Sequence, residues 1–492
     1  MFTQKSIGRS NPRNIHVPYF SSASYAKTFV SGSPLYCALL IGVFAWELIV
    51  IRFASNNGER FKSPRRTLSF DWFAFFFYFR KPLLLKSCIL RIPQAGYPKL
   101  YAFNIEVHSQ RRATDGVPVR INSYARAVDS CYDSAVTKAT GELLERIPYF
   151  YYKESMLTKL SIEQCRNSHQ FMGKISDSNH FYAQNGQEVH IDENTYLNWV
   201  KGFDLKGDIT LIPAASVFSN FNTKAGQLSL FEQELSTHGT GSHTTPEKAL
   251  SHALCEWAER DGFFHHWTLD KQGKSVDLDD LMKHNEEVKE FITIIRESGY
   301  DVRVCDVTSP KVPVPAFFAS VYRTSSKAAM YQCSGGGCNA DWQDAVLASI
   351  KEACGGLLWV DEFYEDRNER KKISQQEYDT QQRVSHFAEE ENYGKVLSFF
   401  SHDVRSASYF DEKYSKVMSA QEVFVKADGV KVGYVMNSKG VLSKIGSFSC
   451  KVYCEGLVPP YQNMKYQPRI KILQRAKEFS VDEINWGIHP LI

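Results

Sequence analysis

The chain has 492 residues, 43% hydrophobic and 23% charged, a composition that excludes global disorder and allows a large core in one or several domains. Its net charge of +3 hides an asymmetry: residues 1–100 hold 14 Lys and Arg against 3 Asp and Glu, the remainder 44 against 52, giving +11 and −8. An acidic body argues against a nucleic-acid partner, which needs a basic groove on the folded domain.

Eleven cysteines without regular spacing read as reduced thiols of a cytoplasmic protein. Cys333 and Cys338 flank the run CSGGGC, and His265 adjoins His266, but no paired C-x-x-C or H-x-x-x-H spacing signals zinc.

In chain order, residues 1–30 have no period and read as disordered or loosely attached. Pro34 to Ile51 is about long enough to span a membrane, but Glu47 interrupts it. With the basic stretch Arg60 to Arg66 and the aromatic run at 69–79, it makes a basic, hydrophobic extension over 1–79. That extension fits a membrane anchor, a buried strand pair or a start placed too far upstream. A cleavable signal peptide fits poorly, because the apolar run begins late and no small-residue cleavage site follows.

The main domain is expected over 80–492. Leu83–Leu90 and Lys99–Val107 read as strands around a PQAGYP turn, and Ser123–Asp129 as a loop feeding a helix that starts near Asp133. Thr210–Val217 reads as a short strand, Leu278–Gly299 as one amphipathic helix, and Val302–Val307 and Val314–Tyr322 as strands. Asp344–Leu358 reads as a helix after the glycine run, residues 362–392 as a polar, solvated insertion, and Glu455–Pro460 as a turn. Strands alternating with helices make the fold α/β of the mixed α+β kind.

The informative stretch is Ser236–Trp267. Thr244 and Thr245 are cap candidates, Pro246 falls in the first turn, and Ala249, Leu250, Ala253, Leu254, Trp257 and Ala258 trace one helical stripe. Glu256, Glu259 and Arg260 stand three and four residues apart, so their side chains can converge. Alone, that triplet reads as a solvated ion-pair cluster. But Glu142, Glu145 and Arg146 repeat the Glu-x-x-Glu-Arg spacing, and Glu352 sits on a third helix after Gly335–Gly337.

Five carboxylates and two arginines on three helices, each after a Gly- or Ser-bearing loop, suit a Mg²⁺-nucleotide site. Hard cations take carboxylate oxygens and share their shell with water and phosphates, while arginine forks neutralise phosphate charge. Ser236, Gly239, Gly241, Ser242 and Thr244 are candidates to line the nucleotide. Neither a phosphate-loop motif nor a Gly-x-Gly-x-x-Gly after a strand occurs.

Three motifs, TGELLER at 140–146, GSHTTPEKALSHALCEWAERD at 241–261 and GGGCNADWQDAVLASIKEA at 335–353, resemble those of the YcaO family, ATP-dependent enzymes that activate peptide backbone amides. DVTSPKVPVPAF (306–317), the YAFNIEV strand and the CEGLVPP turn (454–460) fit the same order, so the resemblance covers roughly residues 80–492. It implies a cleft for ATP and Mg²⁺. In that cleft Glu142, Glu145, Glu256, Glu259 and Glu352 match the metal and phosphate positions, and Arg146 and Arg260 the motif arginines. Thr244 falls where a polar nucleotide contact is expected, and Arg126 stands for the basic residue of the early loop.

The reaction the resemblance implies begins when a Cys, Ser or Thr side chain attacks the preceding carbonyl. ATP then phosphorylates the oxygen, and an azoline ring remains. Two departures stand in the third motif, where the expected Arg and Gln are Ala348 and Gly355; Lys351 lies near the first of these and offers a charge. The tail Ile488-His489-Pro490-Leu491-Ile492 keeps the His-Pro core of a proline-rich ending found in ring-forming members and thought to reach the active site.

The leading expectation is a cyclodehydratase of ribosomally made precursor peptides, acting with a separate E1-like or leader-peptide-binding protein and forming a homodimer. A thioamide-forming enzyme with another partner, and a non-catalytic YcaO-like scaffold, stay open, as does membrane tethering through residues 34–79.

Overall fold

The computed structural model describes residues 84–91, 98–112, 118–150, 152–167, 180–182, 188–190, 194, 196–218, 237–324, 332–359, 383, 386–387, 390–416, 418–439, 442, 446–461 and 467–491. The expectations for residues 1–79, for Ser236 and for most of the 362–392 insertion lie outside them.

Strands β1 (Leu84–Arg91), β2 (Tyr101–Arg112) and β3 (Pro118–Asp129) form a three-stranded sheet in that order. Residues 123–129, expected as a loop, are therefore the end of a strand that leads directly into helix α1 (Tyr132–Arg146). Within the described chain, 84–88 and 106–122 group apart, and every candidate site residue lies in the larger unit formed by 89–105 and by 123 onward.

That unit holds a two-stranded ribbon, His180–Tyr182 with Glu188–His190, and two larger sheets. The first is antiparallel, in the order β4 (Leu157–Ser161), β5 (Tyr196–Asp204), β13 (Lys431–Asn437), β14 (Phe448–Glu455), β7 (Thr240–His243), with β6 (Ile209–Pro213) paired to β5. The second runs β11 (Gln332–Cys338), β10 (Ala316–Arg323), β9 (Tyr300–Asp306), β8 (Gly273–Val276), β12 (Phe400–Arg405), antiparallel except for the parallel pair β8–β12.

Helix α2 (Pro246–Thr268) joins the two. Thr245 caps it by accepting the Lys248 N–H, and Pro246 takes the first position, where no N–H is needed. Its first half lays Ala249, Ala253, Leu254, Trp257 and Ala258, members of the expected stripe, against Cys450, Val452 and Cys454 of β14. Its second half packs Phe263, Phe264 and Trp267 with Phe318 of β10 and with Phe399 and Phe400.

The expected helix over 278–299 is two pieces, Leu278–Leu281 and α3 (Glu286–Glu297). Asp277 and Asn285 each accept the amide three residues on, so the sequence carries two N-caps and the helix restarts. Helix α4 (Trp342–Trp359) follows β11, and the glycine run explains how closely it can lie. A Cβ at Gly335 would stand 2.4 Å from the Ala353 nitrogen and one at Gly337 2.3 Å from the Ala345 oxygen. Gly336 faces the other way, as strand alternation demands, and leaves room for the Glu259 carboxylate.

Asp261, the last residue of the second motif, is fully buried and holds four segments together. Arg475 of α5 (Arg469–Glu478) grips it with a fork at 2.7 and 3.1 Å, Ser309 donates at 2.5 Å, and the Val458 N–H donates at 2.7 Å. The 306–317 and 454–460 motifs therefore meet on one carboxylate, and that is their structural use. The end of the polar insertion departs from expectation: Arg383 and Phe387 are each 1% exposed, because Arg383 is packed on the C-terminal tail.

Candidate active site

Three strand-to-helix units build the site, and each pins one glutamate in the same manner. The Arg126 N–H of β3 donates to Glu142 Oε2 of α1 at 2.6 Å. Gly239 N–H, just before β7, donates to Glu256 Oε2 of α2 at 2.8 Å, and Gly336 N–H of β11 donates to Glu352 Oε2 of α4 at 2.8 Å. The sequence separations are 16, 17 and 16 residues, so the strand-loop-helix unit recurs where the flanking sequences do not. Pinning one oxygen leaves the other, Oε1, for a cation. Arg146 pairs with Glu142 Oε1, and Arg260 stands 3.6 Å from Glu352 Oε1 and 3.4 Å from Glu259 Oε1.

Electrostatics divide the carboxylates. Burial, reinforced by the charge of Glu256, pushes Glu145 up to about 8. Burial and its neighbours Glu352 and Glu256 outweigh Arg260 and push Glu259 to about 8, and burial raises Glu352 as well. Burial also acts to raise Glu256, but nearby positive charge overcomes it and holds this group at about 2. After burial the largest influence on it is His238, 3.5 Å from Glu256 Oε1 and itself held below its ordinary range by burial, followed by Arg260 and Lys451.

Thr240 Oγ1 lies 2.5 Å from both Glu145 Oε1 and the Thr237 carbonyl. One hydroxyl proton cannot serve both, and a protonated Glu145 resolves the conflict by donating to Thr240, which then donates to Thr237.

The donor set fits Mg²⁺ and a polyphosphate. Carboxylates and guanidinium groups are the groups such a ligand needs, and carboxylates held neutral by burial and mutual repulsion regain charge when a cation joins them. Among the described residues no three His, Cys, Asp or Glu side chains converge to hold an ion by themselves. Mg²⁺ completes its shell with water and phosphate oxygens, so a spread set of this kind suits it.

The structure thus brings together Glu142, Glu145, Glu256, Glu259, Glu352, Arg146 and Arg260, and Arg126 joins through its backbone. Thr244 is apart: it is exposed, its hydroxyl meets His243 at 3.2 Å, and Glu256 lies about 15 Å along α2 from the helix start. Ser242 ties β7 to α1 by donating to the Gly141 carbonyl at 2.9 Å. Lys351 does not replace the expected arginine, since it binds Glu287 at 2.7 Å, lies 3.7 Å from Asp129 and covers the Phe291 ring.

The tail is buried beside α2. His489 Nε2 donates to the Tyr461 carbonyl at 2.8 Å and Nδ1 accepts from Arg383 at 2.8 Å, a neutral tautomer. Burial, then the charges of Arg383 and Arg260, hold it well below its ordinary range. Sequence reasoning missed Lys451, His238 and Asp129. A lysine inside the apolar strand FSCKVYCE is the one signal that pointed to any of them.

Fold and site together define a Mg²⁺-nucleotide protein outside the phosphate-loop and dinucleotide-binding classes, with carboxylates and arginines from three helices in place of a glycine-rich phosphate cradle. The family model described as YcaO cyclodehydratase, ATP- and Mg²⁺-binding, matches residues 130–458. The chain belongs to the YcaO family, and its cofactors are ATP and Mg²⁺.

Solved structures share the fold. A heterocyclase in complex with substrate and cofactor is 14% identical with a TM-score of 0.59, covering 78% of this chain and 52% of its own. The E. coli microcin synthetase McbBCD complex with pro-MccB17 bound is 15% identical, TM-score 0.53, covering 75% and 87%. YcaO from Methanopyrus kandleri bound with AMPPCP and Mg²⁺ is 15% identical, TM-score 0.51, covering 78% and 88%. The chain spans about half the length of the first of these and 48% of the heterocyclase TruD. No curated protein matches it in sequence. Among the described residues no helix is long and apolar enough to cross a membrane.

Proposed function

We propose that the chain is an ATP-dependent cyclodehydratase that converts Cys, Ser or Thr of a ribosomally made precursor peptide into thiazoline or oxazoline. The observation that carries the reading is the threefold pinning of Glu142, Glu256 and Glu352 around Arg146 and Arg260. In it, Glu142, Glu145, Glu256, Glu259 and Glu352 hold the cation, and Arg146 and Arg260, together with Arg126, hold the phosphates. ATP supplies the phosphoryl group that makes an amide oxygen a leaving group, and Mg²⁺ offsets the charge that develops.

The chain's own part is to orient. The backbone amides fix each pinned carboxylate, and Arg260, shared between Glu259 and Glu352, keeps charge on both sides of the cleft. Across the reaction the peptide gains a bond from the side-chain sulfur or oxygen to the preceding carbonyl carbon and loses one water. Residues 80–492 are proposed as the catalytic domain, with a separate E1-like or leader-binding protein delivering the peptide.

The test is mass spectrometry of a precursor peptide incubated with the protein, its partner and Mg²⁺-ATP. The reading predicts a loss of about 18 Da per ring, the mass of one water. A gain of about 16 Da, oxygen replaced by sulfur, identifies a thioamide-forming enzyme instead. An unchanged peptide that nevertheless binds identifies a scaffold, the reading that Ala348 and the engagement of Lys351 elsewhere favour.

A further inference from the structure

One buried cation of the site comes from the sheet and not from its helices. Lys451, in the middle of β14, is 5% exposed, and its ammonium donates to the carbonyl oxygen of His238. That carbonyl and the Gly239 N–H belong to a single planar peptide unit. The N–H donates to Glu256 Oε2 at 2.8 Å, so one peptide is held by a cation at its oxygen and by an anion at its nitrogen.

The surroundings permit no other orientation. Gly239 has φ +72°, and a Cβ there would stand 2.5 Å from Trp257 Nε1 and 2.7 Å from the Val452 oxygen. Val452 N–H donates to the Gly239 carbonyl at 2.7 Å, and Trp257 Nε1 donates to the Val452 carbonyl at 3.1 Å. Across the ladder Lys451 is paired with Thr240, whose hydroxyl meets Glu145. The lysine therefore stands between α1 and α2, in reach of the carboxyl groups of both Glu145 and Glu256.

We propose that Lys451 is a positioning residue for the nucleotide site: through the 238–239 peptide it sets the direction of the Glu256 carboxylate, and its charge keeps α1 and α2 together when that site fills. The proposal rests on reading the three-helix cleft as the Mg²⁺-ATP site.

Its test compares Lys451→Met, of similar length without charge, with Lys451→Arg. The readouts are hydrogen–deuterium exchange at the Gly239 amide and equilibrium binding of ATP at varied Mg²⁺. The Met variant is expected to exchange at Gly239 and to bind Mg²⁺-ATP about tenfold faster and about tenfold more weakly, respectively, with the Arg variant close to wild type in both. Met and Arg variants equally impaired would reduce Lys451 to a packing role and overturn the proposal. A Met variant indistinguishable from a wild type that binds Mg²⁺-ATP would overturn it alone. A wild type that binds no Mg²⁺-ATP would overturn the reading of the cleft, and Lys451 with it.

Discussion

Helices α2 and α4 each pin a glutamate to an amide of the strand before it, Glu256 to Gly239 and Glu352 to Gly336, both at 2.8 Å. What stands beside the two carboxylates differs. Glu256 has His238, Arg260 and Lys451 near it and is held at about 2. Glu352 has only a share of Arg260, at 3.6 Å and common to Glu259, and burial raises it. One turn before Glu352 stands the exposed Ala348, and Lys351 is engaged by Glu287. The geometry of a carboxylate site is therefore separable from its charge: both helices have the hydrogen bond, and among the described residues Glu352 shares its nearest cation with Glu259.

The largest expected effect separates structure from site on α2 itself. Asp261→Ala leaves Arg475 buried without its partner and should cost about 3–5 kcal/mol in denaturant unfolding. A loss below about 1 kcal/mol would show that the fork does not hold the motifs together. Next comes Glu256→Ala, which removes the carboxylate anchored on Gly239 while Arg260 keeps Glu259 and Glu352 and Lys451 keeps the His238 carbonyl. Peptide dehydration should fall on the order of a hundredfold in single-turnover assays, with little change in thermal melting.

Adding a cation one turn before Glu352 should work in the opposite direction. Ala348→Arg, at an exposed position, should tighten Mg²⁺-ATP binding by about tenfold while changing stability by less than about 0.5 kcal/mol. An unchanged affinity would mean that position 348 does not face the phosphates.

The smallest effect is on pH. Glu145 and Glu259 are raised by burial to about 8, so between the ordinary carboxylate range and pH 8 the folded chain binds more protons than the unfolded one. Their contribution is complete at low pH and is lost as pH rises through about 8, so cofactor-free melting temperature should fall across that window. Glu259→Gln should flatten the fall, and a variant with the wild-type slope would place the titration elsewhere.

Much of this was legible in the sequence. The α2 stripe from Ala249 to Ala258 is buried as its spacing predicts, and the repeated Glu-x-x-Glu-Arg triplets come close enough for Glu145 and Glu256 to act on each other. Helix periodicity and local spacing are short-range signals, and they carried that far. Residues 123–129 read as a loop because their short stretch shows no clear alternation, although they end a strand beside β2, and the break in 278–299 is hidden because two N-caps sit inside one apolar period. Thr244 follows the motif but not the cluster, since sequence proximity to a helix start says nothing of the far end of that helix.

The hydrogen bonds from strand amides to Glu142, Glu256 and Glu352 involve backbone, which has no sequence signature. Lys451 meets His238, and Asp261 meets Arg475, across more than 200 residues of sequence.

The most direct measurement is equilibrium binding of Mg²⁺-ATP to the wild type and to Glu142→Gln, Glu256→Gln and Glu352→Gln, each checked for an unchanged fold by thermal melting. If three pinned glutamates form one site, every variant should bind at least about tenfold more weakly than a wild type that binds well. If any one of them binds as the wild type does, that helix is not a wall of the site.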